Sequence, residues 1–98
     1  MKIIYKNKEY ELVWSVQAML LFEKIMGYAF RGKTVKDNIV MLYVILVTIE
    51  GSDKNLNYQE YSAWINQNAR TLQKFINWAE EQEQWQFQAL LRIIKKKT

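Results

Sequence analysis

The chain has no cysteine, no histidine, no proline and only three glycines. Without cysteine there is no disulfide, no thiolate metal site and no thiol nucleophile. Cysteine usage therefore leaves the redox compartment open. Without histidine, the commonest general base and metal ligand near neutral pH is missing. Acidic charge is also scarce. Ten Asp and Glu face fourteen Lys and Arg, a formal charge of +4. No apolar run is long. The most prominent, Ile39 to Ile49, has eleven residues and no charge, with Asp37 before it and Glu50 after it. It falls well short of the ~20 residues a membrane helix needs. Met1-Lys2-Ile3-Ile4-Tyr5-Lys6 reaches charge too soon for a signal-peptide core. A soluble, intracellular protein with no membrane partner is expected.

Half of the residues are apolar and fourteen per cent are aromatic, the composition of a folded chain. At 98 residues one domain is expected, spanning 1–98. A chain this small keeps much apolar surface near water, which favours self-association into a homo-oligomer. The run at 39–49 is apolar on every side, so it must be surrounded by protein. It is the expected centre of the fold.

Residues 2–13 read as a β-hairpin with Asn7-Lys8 as its turn. In that register Ile3 faces Leu12 and Tyr5 faces Tyr10 on one side, and Lys6 pairs with Glu9 on the other. Ser15 caps a helix over 16–26, and Gly27 ends it. Trp14 and Met19 are placed to form a hydrophobic staple. Val16, Met19, Leu20, Phe22, Ile25 and Met26 form its expected apolar side. Thr34 caps a second helix over 35–50, with Asp37 in its first turn and Gly51 beyond it. A turn at Ser52 to Asn55 follows. Asn57 with Glu60 opens a third helix over 58–67, and a break near Asn66-Gln67-Asn68 precedes a fourth over 70–95. Glu80-Glu81-Gln82-Glu83-Gln84 is a solvated stretch or a bend, beyond which 85–95 projects as an arm. The fold class expected is mainly α with an N-terminal β-hairpin, about four helices around a buried central one.

Chemistry is hard to place on these residues. The Glu80, Glu81 and Glu83 group lacks a second ligand type or a glycine-rich loop, and an exposed helical face accounts for it. No nucleotide loop, nucleophile elbow or metal spacing is present. No enzyme, no cofactor and no metal are expected. The basic tail, Arg92 and Lys95 to Lys97, could contact phosphate, or simply keep a helix C-terminus soluble. The aromatic residues sit at core spacings, which argues against single-strand nucleic-acid binding. What remains is surplus apolar surface. Trp78 and Trp85 share a helical face distinct from that of Leu72, Ile76 and Ala79. Exposed aromatic stripes mark partner sites, although both stripes would be core if the helix were sandwiched. Tyr43, Val47, Trp78, Trp85 and Phe87 are the candidate protein-binding residues. Tyr43 and Val47 form a flank of the central helix that a neighbouring subunit could complete.

Several stretches resemble the small phage tail assembly chaperones. Met1 to Leu12 is similar to the short hairpin that opens many of them. Ser15 to Gly27 is closer, with its Phe22-Glu23-Lys24-Ile25-Met26-Gly27 core followed by Phe30. The capped apolar helix from Thr34 and the Tyr58, Tyr61, Trp64 helix continue the likeness over most of the chain. Where that family often has an Asp-Pro-Glu-like break, this chain has Gln67-Asn68-Ala69-Arg70. The resemblance implies a protein of the bacterial host cytoplasm that binds the phage tape measure protein, keeps it soluble until the tail tube forms around it, and self-assembles. The tail tube protein is a further partner it suggests. No site residue carries over from the family. A small basic nucleic-acid-binding protein and a structural tail or head-tail component of the virion are the alternatives.

Overall fold

The computed structural model describes residues 1–50 and 56–97, with side chains for 1–49 and 56–83. Among these residues the chain forms strands β1 (Lys2–Tyr5) and β2 (Lys8–Glu11), then helices α1 (Val16–Met26), α2 (Val35–Glu50), α3 (Tyr58–Gln67) and α4 (Ala69–Lys97). It is mainly helical with an N-terminal antiparallel hairpin. The expected Gly51 cap and the turn at 52–55 lie outside the described residues.

The hairpin turns one residue earlier than the sequence suggested. Its corner is Lys6-Asn7, with φ of 51° and 63°. A two-residue hairpin loop that matches the strand twist needs positive φ at both positions. The pairs are Lys2–Glu11, Ile3–Tyr10, Ile4–Glu9 and Tyr5–Lys8. This register is two residues away from the expected one. A slip of two leaves every side chain on its own face, and Ile3, Tyr5, Tyr10 and Leu12 are all buried. The expected Lys6–Glu9 pair is replaced. Glu9 pairs with Lys2 at 3.5 Å, and Lys6 reaches Glu60 on α3, fifty-four residues away. A local reading has no access to such a partner.

Helix α1 begins where its cap requires. The Ser15 hydroxyl accepts from the Ala18 amide at 3.1 Å, and Gly27 closes the helix in the left-handed region at φ 81°. Its buried side matches the expected one at Phe22, and Met26 is half-buried, but the rest departs from it. Ala18 and Phe22 are fully buried, whereas Val16, Met19, Leu20 and Ile25 are exposed. Apolar residues sit nearly all round this helix, so periodicity alone does not choose a side. Ala18 has the shortest side chain on α1, and with Phe22 one turn on it forms the face turned inward. Trp14, expected against Met19, packs its ring edge-on against Phe30 and Trp78 at 5.5 and 5.8 Å.

Helix α2 is the centre of the core. Met41, Leu42, Val44, Ile45 and Leu46 are fully buried. Helices α1, α3 and α4 all pack on it. Cover for these positions comes from within one chain. At its start the Thr34 hydroxyl accepts from the Asp37 amide at 3.0 Å. The Asp37 carboxylate is buried and accepts from the Tyr28 hydroxyl at 2.7 Å. Asn38, also buried, donates to the carbonyls of Gly32 and Thr34 at 3.3 and 2.9 Å. These bonds tie the 28–34 connection to α2, leaving its two buried polar side chains partnered.

Asn57 caps α3, accepting from the Glu60 amide at 3.0 Å. The α3–α4 junction is the single residue Asn68. Its amide bonds the Ile65 carbonyl, its side chain donates to the Trp64 carbonyl at 2.7 Å, and its own carbonyl accepts from Thr71 and Leu72. Helix α4 then continues through the acidic stretch without a break in helical structure, as the solvated-helix alternative has it. Glu80 and Glu81 are exposed while Gln82 and Glu83 are half-buried. The 29 residues of α4 extend about 43 Å at about 1.5 Å each.

Candidate docking surfaces

Two aromatic clusters decide where the expected binding residues fall. The first joins the hairpin to α2 and α3. Tyr5 meets Trp64 and Tyr61 edge-on at 4.9 and 6.2 Å, and Tyr61 lies 5.2 Å from Tyr43. Tyr58 adds a T-shaped contact to Tyr43 at 5.0 Å. Tyr43 is half-buried, and its hydroxyl donates to the Leu56 carbonyl at 2.7 Å. Its ring and its hydroxyl both serve internal contacts. The second cluster joins α1, the 28–34 connection and α4: Phe22 with Phe30, Phe30 with Trp14, Trp14 with Trp78, and Trp78 with Phe75. Trp78 is half-buried there. The side chains of Trp85 and Phe87 lie outside the described residues. Val47 is half-buried at the rim of α2. Tyr43 and Trp78 thus belong to separate clusters.

The tyrosine hydroxyls carry the main electrostatic signal. Tyr61 donates to the Ile39 carbonyl at 2.6 Å and is fully buried. Burial pushes its ionisation far above the ordinary 10.0, and the neighbouring Tyr58 and Tyr5 add to this. Burial also raises Tyr5 and Tyr43. The Tyr5 hydroxyl is buried and has no hydrogen-bond partner among the described residues. Glu83 is raised by burial first and by Glu80 second. No group of acidic side chains among the described residues is arranged to hold a metal ion. No described helix is long and apolar enough to cross a membrane.

An open apolar surface lies on a side of α1 that was expected to face inward. Val16 is 66% and Leu20 60% exposed, one turn apart on α1. Met19 and Glu23 are exposed at the flank of this pair. Val13, just ahead of α1, is exposed too. The inward side, Ala18 and Phe22, is set by the packing of α1 on α2 and carries no local signal. Grooves among the described residues lie elsewhere. One, of about 500 Å³, sits between α2, α3 and α4 and is lined by Val35, Ile39, Ala63, Ile65, Ala69 and Leu72 among others. Another, of about 430 Å³, runs beside β1 against the α3–α4 corner.

Comparison with known proteins found no matching family model, no matching curated protein and no matching solved structure.

Proposed function

We propose that this chain is a phage tail assembly chaperone. It binds the tape measure protein in the cytoplasm of the bacterial host and keeps it soluble while the tail is built, acting as an oligomer. The observation behind this reading is the outward apolar side of α1, where Val16, Met19 and Leu20 are exposed while the central helix is already covered from within. An exposed apolar helix face, rimmed by polar side chains such as Gln17, Glu23 and Lys24, suits an apolar helical partner laid against it. A long helical client needs such surfaces and no catalytic group. Met19 adds adaptability, since an unbranched thioether repacks easily. The sequence resemblance supplies the identity of the client, and the tail tube protein is a further partner under the same reading.

The test is co-expression with the product of a very long gene lying next to this one. The chain should keep that product soluble, and a Val16→Glu/Leu20→Glu variant should not. A client equally soluble without the chain would reject the proposal. The net charge of +4 favours a second reading, a small basic nucleic-acid-binding protein. That reading requires an affinity falling steeply with salt, and unchanged migration of DNA and RNA at low salt rejects it. Detection of the chain in purified particles would instead favour a structural component of the virion.

A further inference from the structure

Strand β1 has one edge bonded to β2 and one that is open. The Leu12 amide bonds the Met1 carbonyl at 2.8 Å. With the observed register, this makes Met1–Leu12 a hydrogen-bonded pair. Bonded and non-bonded pairs alternate along an antiparallel ladder. Ile3–Tyr10 and Tyr5–Lys8 are therefore bonded pairs, and Lys2 and Ile4 turn their N–H and C=O groups away from β2. Among the described residues these four groups have no backbone partner. Buried backbone groups are nearly always paired, so an open edge is a ready template for another extended chain.

This edge opens on a groove rather than on bulk solvent. Lys2, Ile4, Trp64, Asn68, Thr71 and Lys74 line a space of about 430 Å³ along it. Ile4 is 67% exposed. The groove carries surplus positive charge. Lys2 pairs with Glu9 at 3.5 Å, and Lys74 has no ion pair among the described residues.

We propose that the β1 edge is a strand-addition site for an extended, acidic segment of a partner protein. About three residues of that segment pair with the N–H and C=O groups of Lys2 and Ile4, matching their span at ~3.3 Å per residue. One of its carboxylates meets Lys74. This inference stands apart from the tail-assembly reading, because it rests on the backbone phase of the hairpin and the charge of the groove.

The experiment titrates the ¹⁵N-labelled full chain with acetyl-Val-Glu-Val-Glu-Val-amide and, separately, with its Lys-for-Glu counterpart. The acidic peptide should shift the Lys2 and Ile4 amide signals and slow their hydrogen exchange, and the basic peptide should do so more weakly. Ile4→Pro removes an outward donor that the β1–β2 ladder does not use, and proline is tolerated at such edge positions. It should weaken binding about three- to tenfold while the helical circular dichroism is kept. Lys74→Glu leaves the strand untouched, and should reverse the preference between the two peptides. No change at Lys2 and Ile4 with millimolar acidic peptide would overturn the proposal, as would equal binding of both peptides. Protection of the Ile4 amide that rises with protein concentration in the absence of peptide would also overturn it, assigning the edge to a second copy of this chain.

Discussion

Tyr5 and Tyr61 touch one another across the hairpin and α3, yet their hydroxyls are in opposite situations. Tyr61 donates to the Ile39 carbonyl at 2.6 Å, while the Tyr5 hydroxyl is buried without a partner among the described residues. Losing a made hydrogen bond costs about 1 kcal/mol, and removing an unpaired buried hydroxyl costs little or stabilises. Tyr61→Phe should thus lower stability by about 1 kcal/mol in urea unfolding, and Tyr5→Phe should leave it unchanged or raise it. The same residues set an alkaline limit. The folded state holds the Tyr61 proton more tightly than the unfolded chain, whose tyrosine ionises near 10.0. A group raised in this way contributes its full stability below that pH and loses it as pH rises above. Stability should fall above about pH 10, by at most about 1.4 kcal/mol per pH unit for each such group. Tyr61→Phe should flatten that fall, as urea midpoints measured from pH 8 upward would show. The direction of this effect comes from burial, which no motif announces.

At the scale of elements, the central helix and the hairpin turn make contrasting predictions. Ile45 is fully buried on α2. Ile45→Ala should cost about 2–5 kcal/mol through lost transfer energy and the cavity left behind, read as a lower midpoint in urea. The turn is a weak point of the opposite kind. Lys6 holds φ 51°, a region that Asn and Gly enter more easily than Lys. Replacing Lys6-Asn7 by Asn-Gly should raise the unfolding midpoint. It gives up the exposed Lys6–Glu60 ion pair, of a kind that contributes little. The element boundaries were legible because their causes are local. Ser15, Thr34 and Asn57 accept from amides three residues on, and Gly27 takes the positive φ. The turn was misplaced by one residue because Asn7 suits either position, and because Lys6 finds Glu60 only once α3 is docked.

At the scale of the whole molecule, association separates from folding. Val16 and Leu20 face outward, so Val16→Glu/Leu20→Glu should change stability by no more than about 1 kcal/mol, surface sites away from special features contributing about 0.5 each. The same change should reduce concentration-dependent association in sedimentation velocity. A loss of fold instead would return α1's outer side to the core. Of the binding residues expected from the sequence, Tyr43 and Trp78 lie in internal aromatic clusters, since rings at helical spacing read alike whether their neighbours are another helix or water. The sequence by itself determined the mainly helical class, the spans of the first three helices, the central place of α2 and the buried side of the hairpin. These follow from caps, from an uncharged run long enough to need cover on all sides, and from an alternation that a slip of two residues cannot disturb. Only the tertiary structure decided which side of α1 turns inward, that α4 stays helical through its acidic stretch, and that the open edge of β1 faces a groove. Each depends on which surfaces meet. A helix apolar on nearly every side, or a strand with two equivalent edges, holds no local signal of the face another element will cover.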